Sequence, residues 1–304
     1  MINHENYMSL ALQLAKQGCL TVSPNPMVGC ILLKNQQIIG QGYHQYAGGP
    51  HAEAHALAAA GSDAQGATAY ITLEPCCHSK KRTPPCTTAL IQAGIKKVYV
   101  ACLDPNPQVA GKGIQQLQEA GITVEIGLQA EAATQLNQIF FHYIQKQRPF
   151  VIAKWAMSLD GKTITQSGDS KAISNKTSQN IAHQLRQQVD AILIGAATAS
   201  QDDPLLTARV ETTENIKPSK QPLRIILSTK GDLPNNLRLF DQHPTAKTLI
   251  ATTTDIPAKT IAYFTKKNIE VLILPKNQRG LVDLPSLLDN LGKRDITSLL
   301  IEGG

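Results

Sequence analysis

Short apolar runs alternate with helical patterns along most of the chain. In the first half, five apolar runs predict strands: "MVGCILL" (27–33), "IIGQGY" (38–43), "ATAYITL" (67–73), "KKVYVAC" (97–102) and "ITVEIG" (122–127). Three helical patterns lie among them, each closed by a glycine at a C′ position: "AEAHALAAAG" (52–61), "CTTALIQAG" (86–94) and "GIQQLQEAG" (113–121). Strands and helices that alternate with short links predict an α/β sheet sandwiched by helices.

The pattern stops and then restarts in the middle of the chain. A helix is predicted over 130–147, Arg148-Pro149 follows it, and a strand begins with "PFVIAKWAMS" (149–158). Further strands are predicted at 191–195, 223–228, 248–253, 270–275 and 298–304, and helices at 176–188, 258–267 and 284–292. The polar segment 211–222, which contains prolines, predicts a surface loop. We therefore expect two α/β domains, residues 1–147 and 148–304.

The composition is that of an ordinary globular protein, with 304 residues, of which 42% are hydrophobic and 17% charged. The net charge of +6 comes from scattered lysines and arginines rather than from a basic stripe, so we expect no nucleic-acid partner. The opening "MINHENYMSL" lacks the basic start and apolar run of a secretory signal. No stretch reaches the roughly eighteen apolar residues of a membrane span. We expect a cytoplasmic protein without membrane contact.

The stretch "TLEPCCHSKKRTPPC" (72–86) contains three of the six cysteines of the chain and a histidine. In a reducing cytosol, clustered cysteines more often bind metal or take part in catalysis than form disulfides. The other three, Cys19, Cys30 and Cys102, lie in apolar surroundings and are interpreted as core residues. The cluster therefore indicates a metal or catalytic site.

One imidazole and two thiolates, from His51, Cys76 and Cys86, can supply three ligands to zinc. Three protein ligands leave the fourth tetrahedral position open for water, which distinguishes catalytic from structural zinc. Zinc lowers the pKa of that water towards neutrality, and Glu53, two residues after the histidine, can carry its proton to a leaving amine. A His-x-Glu motif followed by Pro-Cys thiols is the signature of zinc nucleobase deaminases.

Two alternatives concern the same segment. Cys77 competes with Cys76 as a ligand, although only Cys76 shares the Pro-Cys context of Cys86. His78 could supply a fourth ligand and make a closed structural site. Zinc would then bind no water, and Glu53 would have no proton to transfer. Both Cys76 and Cys86 are expected at helix starts after strands, where free N–H groups and the helix dipole favour the thiolate.

Four motifs in order, "SPNPMVGC", "GGPHAEAHAL", "TLEPC…RTPPC" and "DPNPQVAGKG", resemble the deaminase half of the bifunctional riboflavin-biosynthesis deaminase/reductase family. The resemblance covers nearly the whole chain. It implies a cytidine-deaminase-like three-layer domain that binds Zn²⁺ through His51, Cys76 and Cys86. The implied reaction removes the pyrimidine 2-amino group of 2,5-diamino-6-ribosylamino-4(3H)-pyrimidinone 5′-phosphate as ammonia, with Glu53 moving the protons.

The resemblance also implies which residues of this domain contact the substrate. They are Asn25, His44, Arg82, Asp104 and Asn106. Arg82 is the expected partner of the 5′-phosphate, because a guanidinium can bind two phosphate oxygens. The loop between the two Pro-Cys dipeptides is one residue longer than is usual in the family, and Lys81 stands where a glycine is common.

The second half contains two segments, "RPFVIAKWAMSLDGK" (148–162) and "VDAILIGAATASQDDPLLTAR" (189–209), that are similar to the reductase half of the same family. The pattern over 191–198 predicts a buried strand leading to a glycine turn, where backbone N–H groups can approach a phosphate. No G-x-G-x-x-G motif occurs, so the Rossmann fingerprint is absent. The resemblance implies a dihydrofolate-reductase-like α/β domain that uses NADPH to reduce the ribosyl group to ribityl.

The same resemblance implies residues along the cofactor and the substrate of the reductase. Those along the cofactor are Ala156, Ala172, Thr198 and Asp202. Those near the substrate are Ser170, Arg186, Leu206, Arg209 and Glu302, with the arginines on its phosphate. Lys154 and Asp160 belong to the same strand-end cluster, and Ala172 stands where the family commonly has tryptophan. Alternatively, Asp202 and Asp203 cap or turn the chain before Pro204.

The chain stops at "LLIEGG", an apolar strand that enters a Gly-Gly turn. In an α/β protein such a turn usually leads into a helix, and the family continues through a turn and helix that hold the cofactor's phosphates. We therefore expect further residues beyond Gly304, and for a chain ending there we expect deaminase activity without competent reductase activity. The resemblance also implies a homo-oligomer, a dimer or larger.

Three other functions fit part of the pattern. A deaminase of RNA or single-stranded DNA shares the His-x-Glu and Pro-Cys residues, but that class keeps a short C-x-x-C and needs a stacking or basic surface. In this chain nine residues separate Cys76 from Cys86, and aromatic residues make up only 4%. The second is a non-enzymatic scaffold with structural zinc, and the third is a deaminase with a degenerate second domain. Retained zinc with abolished deamination in Glu53→Ala would exclude the scaffold.

Overall fold

The computed structural model describes residues 3–78, 84–166, 173–209, 220–241 and 245–303. The chain divides into two units, Met1–Lys146 and Gln147–Gly304, one residue from the predicted boundary. Each unit has its own sheet and its own apolar core. The helices within the described ranges all fall short of the length and apolar character that a bilayer crossing requires.

The first unit follows the predicted alternation of strands and helices. Its elements are, in order, α1 (His4–Lys16), β1 (Gly29–Lys34), β2 (Gln37–Tyr43), α2 (Ala52–Ala60), β3 (Thr68–Ile71), α3 (Cys86–Gln92), β4 (Lys97–Val100), α4 (Lys112–Glu119), β5 (Thr123–Ile126), α5 (Ala130–Leu136) and α6 (Gln138–Lys146). The five predicted strands and the three predicted helices between them are all present, with ends that differ by a residue or two.

The five strands form one sheet in the order β2-β1-β3-β4-β5. β1 pairs antiparallel with β2 and β3, whereas β4 pairs parallel with β3 and β5. Helices α2, α3 and α4 cover one face, around Leu32 and Ile71, and α1, α5 and α6 cover the other, around Ile31 and Tyr70. Because both faces are covered, β1 is a continuous apolar run rather than an alternating one.

Helix α2 lies very close to β2. A Cβ on Gly42 would lie 2.5 Å from the carbonyl oxygen of Ala52, and a Cβ on Gly40 would lie 2.2 Å from that of Ala56. Only glycine allows a helix backbone to approach a strand this closely, and the small side chains of α2 complete the fit. This contact holds the first turn of α2 against the sheet.

The second unit is a parallel α/β sheet. Its elements are, in order, β6 (Phe150–Trp155), α7 (Lys176–Gln188), β7 (Ala191–Gly195), α8 (Ala196–Asp202), β8 (Leu223–Leu227), β9 (Thr248–Thr252), α9 (Ala258–Lys266), β10 (Glu270–Ile273), α10 (Leu284–Gly292) and β11 (Ser298–Gly303). The strand order is β10-β9-β8-β7-β11-β6, and each neighbouring pair is parallel. The carboxyl ends of the strands therefore lie along one edge, where open α/β sheets bind their ligands.

Four features differ from the sequence predictions. Cys19, interpreted as a core residue, is exposed, whereas Cys30 and Cys102 are buried as predicted. Helix α1 was not predicted, although Met8, Ala11, Leu12 and Ala15 form a buried stripe with helical spacing. The helix predicted over 130–147 is two helices that meet at Asn137, whose side chain accepts from the N–H of Met27 at 2.8 Å and donates to its carbonyl at 2.9 Å. The glycine turn predicted within 191–198 is short, because α8 begins directly after Gly195. Most of the predicted loop 211–222 lies outside the described residues.

Candidate active sites

His51 and Glu53 lie at the N-terminal end of α2. His51 is the N-cap residue in an extended conformation, and Glu53 lies in the first turn. The ring of His44, which directly follows β2, has its Nδ1 3.0 Å from the carbonyl oxygen of Pro50. The segment that leads into α2 is therefore held from the strand side, directly before His51.

Cys76 and Cys86 meet at the start of one helix rather than at the starts of two. Cys86 is the first residue of α3, after the N-cap residue Pro85, as predicted. The prediction of a helix start at Cys76 is wrong, because no helix occurs between residues 72 and 78. Instead, the Sγ of Cys76 accepts a hydrogen bond from the backbone N–H of Cys86 at 3.3 Å. The N-terminus of α3 thus carries one sulfur and donates to the other, which favours the thiolate form.

Three donor atoms, His51 Nδ1, Cys76 Sγ and Cys86 Sγ, lie within 4.8 Å of one another. The Nδ1 atom is 3.6 Å from the Sγ of Cys76 and 3.3 Å from that of Cys86. Zinc–sulfur and zinc–nitrogen bonds of about 2.3 and 2.0 Å would place tetrahedral ligands roughly 3.5 to 3.8 Å apart. The spacing and the chemistry of the donors therefore fit one zinc ion with three protein ligands.

The two alternative ligands stand outside this group. The Sγ of Cys77 lies 3.7 Å from the carbonyl oxygen of Gln108. His78 lines the adjoining cavity, and within the described ranges no metal-binding group contains either residue. The geometry favours Cys76 over Cys77 and an open site over a closed one.

The carboxyl group of Glu53 is buried beside the metal donors, with 2% of the residue exposed. Its Oε2 atom has no hydrogen-bond partner within the part of the chain that the structure describes. Burial, and then the negative charge of the nearby Cys76 thiolate, raise the pKa of Glu53 above its ordinary value. A buried carboxyl without a partner for one oxygen is costly unless that oxygen serves the reaction, and a raised pKa suits a group that must accept and return a proton.

A cavity of about 470 Å³ adjoins the donor group, a volume suited to a small organic ligand. Four of the five predicted substrate contacts line it: Asn25, His44, Asp104 and Asn106. The Nδ2 atom of Asn25 is 3.1 Å from the Nε2 atom of His44, and Asp104 Oδ1 accepts the N–H of Asn106 at 2.8 Å. The fifth predicted contact, Arg82, lies outside the described residues.

Two parts of this cavity were not predicted from the sequence. One face of α6 forms an apolar wall from Phe140, Tyr143 and Ile144. Their spacing of three and four residues indicates a shared helix face, but spacing does not reveal what that face contacts. The other missed residue is Glu74, which lies in the "TLEPC" motif and has only 3% of its surface exposed.

The second unit has two adjoining cavities at the carboxyl ends of β6 and β11. One, of about 180 Å³, is lined by seven predicted residues: Lys154, Ala156, Arg186, Thr198, Asp202, Leu206 and Glu302. The other, of about 460 Å³, is lined by the predicted Arg209. Lys154, Ala156 and Arg186 line both, so the fold brings these predicted residues together.

Three further predictions for the second unit have different outcomes. Ser170 and Ala172 lie outside the described residues. Asp160 lines neither cavity and accepts a hydrogen bond from the hydroxyl of Ser158 in an exposed turn, so it does not belong to the strand-end cluster as predicted. Asp203 is the C-cap residue of α8 and accepts hydrogen bonds from Arg238, which supports the capping interpretation for Asp203.

Arg186 and Glu302 form a two-pronged ion pair. The Nε and one Nη atom of Arg186 lie 2.6 and 2.8 Å from the two carboxylate oxygens, and Lys154 Nζ lies 3.8 Å from one of them. Burial alone would raise the pKa of Glu302, but Arg186 and Lys154 outweigh it and the pKa is lowered. The carboxylate therefore stays charged and fixes the guanidinium at the cavity.

Comparisons with known proteins match both units. Residues 1–102 match the cytidine and deoxycytidylate deaminase zinc-binding region, and residues 149–304 match the RibD C-terminal domain. The riboflavin biosynthesis protein RibD of Actinobacillus pleuropneumoniae is 45% identical over 300 residues, which cover 98% of this chain and 77% of that protein. That of Escherichia coli is 42% identical over 307 residues, covering 99% and 81%.

Solved structures agree over the same length. RibD of Acinetobacter baumannii, form 1, matches with a TM-score of 0.86 at 40% identity, covering 99% of this chain and 80% of that one. A diaminohydroxyphosphoribosylaminopyrimidine deaminase/5-amino-6-(5-phosphoribosylamino)uracil reductase from Thermotoga maritima matches with a TM-score of 0.84 at 37% identity, covering 99% and 80%. The predicted fold class, a cytidine-deaminase-like domain followed by a dihydrofolate-reductase-like α/β domain, is confirmed.

Proposed function

This chain belongs to the RibD family of riboflavin-biosynthesis proteins, and we propose that the two sites described above carry the two activities of that family. The protein is a bifunctional enzyme, a zinc-dependent deaminase and an NADPH-dependent reductase. Our proposal concerns which domain and which residues perform each reaction. It assigns the deaminase to residues 1–147 and the reductase to residues 148–304.

For the deaminase, the proposed zinc ligands are His51, Cys76 and Cys86. The ion, when bound, supplies Lewis acidity that makes water a nucleophile near neutral pH. Glu53 takes a proton from the attacking water and delivers it to the departing 2-amino group, which leaves as ammonia. The remaining hydroxyl proton passes to the adjacent ring nitrogen, which leaves a carbonyl oxygen on the pyrimidine carbon. The burial of Glu53 beside the ligand atoms supports this role, because its Oε2, without a hydrogen-bond partner among the described residues, is available to hold and return the proton.

The substrate contacts follow from the lining of the cavity. Asn25, His44, Asp104 and Asn106 present amide, imidazole and carboxylate groups that can bind the edge of a pyrimidine. The apolar wall of α6 faces the same space and can cover the ring. For the 5′-phosphate, Arg82 remains our proposed partner, on the basis of its position in the "RTPPC" motif.

The deaminase assignment rests above all on the three donor atoms that lie within 4.8 Å of one another beside the buried Glu53. Glu53→Gln tests it, because the amide keeps the size of the side chain but cannot take up a proton. We expect the variant to keep one zinc per chain, to keep NADPH oxidation when the deaminated nucleotide is supplied directly, and to lose at least about a hundredfold in ammonia release. Full activity in the variant would refute the role of Glu53.

The nature of the substrate has its own test. Purified enzyme is incubated with the free pyrimidine nucleotide and, in parallel, with RNA and single-stranded DNA, and ammonia is measured. We expect release only from the free nucleotide. Release from RNA would favour a nucleic-acid deaminase instead.

For the reductase, we propose that Ala156, Ala172, Thr198 and Asp202 lie along NADPH. The substrate contacts are Ser170, Arg186, Leu206, Arg209 and Glu302. When bound, NADPH would supply a hydride for the ribosyl C1′ carbon, whose bond to the ring oxygen breaks as that oxygen gains a proton, which gives the ribityl group. The cations Lys154, Arg186 and Arg209 line the larger cavity together and suit a phosphate there.

The single tryptophan of the chain, Trp155, offers a test of binding that does not depend on turnover. It lines the larger cavity, where its indole nitrogen lies 3.3 Å from the Sδ atom of Met157. We expect NADPH and the substrate to change its fluorescence in a saturable way, and Thr198→Phe, which fills the cofactor side without adding a second indole, to abolish the response to NADPH. An unchanged response in that variant would place the cofactor elsewhere.

We also infer a cytoplasmic homo-oligomer. A cluster of zinc-binding thiols is stable in a reducing compartment, and the cysteines within the described ranges form no disulfide. Strand β6 lies at the edge of its sheet, and Val151, Trp155, Met157 and Ile301 are exposed apolar residues on or beside it. An apolar surface of this kind favours association with a second copy. Light scattering of the purified protein tests this, with Val151→Lys as the variant expected to dissociate it.

A further inference from the structure

Glu74 is a buried carboxylate two residues before the proposed ligand Cys76. Four backbone N–H groups donate to its two oxygens. Oε2 accepts from Asp104 at 3.2 Å and from Gly111 at 2.9 Å, and Oε1 accepts from Gly113 at 2.9 Å and from Ile114 at 3.4 Å. A carboxylate is an acceptor at all of its lone pairs, so it matches four donors without an unfavourable contact.

Two of these donors lie in the first turn of α4, and a third belongs to its N-cap residue. Gly111 is that N-cap residue, in a left-handed conformation with φ 87°. A Cβ on Gly113 would lie 2.2 Å from the carbonyl oxygen of Pro75 and 3.1 Å from Oε1 of Glu74. The helix therefore starts in contact with the segment that carries Cys76. A negative group at this position also interacts favourably with the helix dipole.

The fourth donor connects Glu74 to the substrate side of the cavity. It is the N–H of Asp104, whose Oδ1 accepts the N–H of Asn106 at 2.8 Å. The Oδ1 of Asn106 accepts in turn from Gln108 at 3.0 Å. Asp104 and Asn106 both line the cavity. A chain of hydrogen bonds thus runs from Glu74 through the two proposed substrate contacts.

We propose that Glu74 is a positioning residue for deamination, which holds segment 104–114 so that Asp104 and Asn106 face the substrate at a fixed distance from the metal ligands. This inference rests on the proposed substrate contacts of the two residues. Glu74 connects the two halves of the site because its backbone continues into Cys76 while its side chain holds the loop. Its N–H also donates to the carbonyl of Cys102 at 3.0 Å, which ties it to the strand that leads into the loop.

The experiment compares Glu74→Gln and Glu74→Asp with the wild type, using full-length enzyme with its zinc content measured. In Glu74→Gln the amide NH₂ must face two of the backbone N–H donors, so two of the four hydrogen bonds to this side chain are lost. We expect KM for the pyrimidine nucleotide to rise at least about tenfold while kcat changes by less than about threefold and zinc stays at one per chain. Glu74→Asp keeps the charge but shortens the reach, and we expect a smaller rise in KM.

Asp190→Asn is the matched control. Asp190 is also a buried acceptor of several hydrogen bonds, from Thr297 and Ser298, but it belongs to the second unit. We expect this variant to lower the melting temperature and to leave the KM of deamination unchanged. The contrast separates a loss of loop position from a general loss of stability.

The remaining outcomes overturn the inference. If KM in Glu74→Gln stays within about twofold of the wild type, the loop does not need this carboxylate. Parallel losses of zinc, kcat and melting temperature with unchanged KM would assign Glu74 to the metal site or the fold. Failure of both variants to fold would do the same.

Asn106→Ala distinguishes this inference from the proposed function. If Asn106→Ala leaves KM unchanged, the proposed substrate contact is wrong, whatever Glu74 does. If it raises KM and Glu74→Gln does not, the positioning role alone fails. We expect the double variant to raise KM by less than the product of the two single effects, because both act on one loop.

Discussion

Arg186 and Glu302 lie 116 residues apart in the sequence and meet through two hydrogen bonds of 2.6 and 2.8 Å. Arg186 comes from α7 and Glu302 from β11, and both side chains are largely buried, at 13% and 10% exposure. A third interaction, from the arginine to the carbonyl of Thr207, fixes the plane of the guanidinium. The proposed phosphate partner of the reductase is therefore oriented before any ligand arrives.

Arg186→Lys should weaken the reductase because an ammonium group cannot form the paired contacts of a guanidinium. We expect the KM of the reductase substrate to rise about tenfold, with a smaller effect on the KM of NADPH. The deaminase of the same chain serves as an internal control and should keep its kinetic constants. An unchanged KM for the reductase substrate would contradict the role of Arg186.

Cys76→Ser and Cys77→Ser should separate the two neighbouring thiols. The Sγ of Cys76 belongs to the donor group, and that of Cys77 lies beside the carbonyl of Gln108. We expect Cys76→Ser to lose zinc and at least about a hundredfold in deamination, because a hydroxyl is a poor zinc ligand. Cys77→Ser should retain both. Metal analysis of the dialysed proteins decides between them, and zinc retained by Cys76→Ser alone would reverse the assignment.

Gly42→Ala should destabilise the first unit. The new Cβ would lie 2.5 Å from both the carbonyl oxygen of Ala52 and the Cβ of His55, so α2 would have to move away from β2. Forced overpacking of this kind costs about 1 to 3 kcal/mol in the free energy of unfolding. Denaturant unfolding measures the loss, and zinc affinity should fall with it because His51 caps the displaced helix.

Gly195→Ala is the control for that measurement. Nothing lies within 4 Å of a Cβ built on Gly195, and its φ of −80° is accessible to alanine. We expect a change of less than about 0.5 kcal/mol, as for most unstrained surface positions. If both variants lost similar free energy, close packing of α2 would not be the cause.

The stability of the second unit should depend on pH through Asp190. Burial alone would raise the pKa of this carboxyl, but Lys220, at 2.7 Å, and hydrogen bonds from Thr297 outweigh it, and the pKa is lowered. The folded state thus releases this proton more readily than the unfolded chain, whose carboxyl titrates near a pKa of about 3.9. The contribution is therefore present above that value and lost as the pH falls through the lower pKa of the folded state.

Asp190→Asn provides the comparison for this pH dependence. We expect the variant to be less stable than the wild type at about pH 7 and the difference to shrink as the pH falls below about 3.9 and through the lower pKa of the folded state, where the aspartic acid of the wild type becomes neutral too. Unfolding by urea at a series of pH values across this range measures the difference. A difference that stays constant with pH would show that the ion pair with Lys220 contributes little.

The metal site was predictable from sequence to an unusual degree. The donor types are chemically distinctive, and His51 and Cys86 lie at helix starts that the local pattern predicts. Only the tertiary structure could show that the three donor atoms lie close enough to bind one ion. The error at Cys76 has a clear cause. A proline before a cysteine suggested a second helix start, whereas this sulfur takes its hydrogen bond from the helix that Cys86 begins.

The sequence alone determined the strands, most of the helices, the division into two domains and the residue types that can bind zinc and move a proton. All of these follow from interactions between neighbours a few positions apart, or from side-chain chemistry. Only the tertiary structure decided that Glu74 holds segment 104–114, that α6 forms a wall of the cavity and that Glu302 holds Arg186. Each of these contacts joins residues from separate elements, and it forms only when the sheets and helices pack together. The periodic pattern of apolar residues indicates local structure and carries no information about this packing.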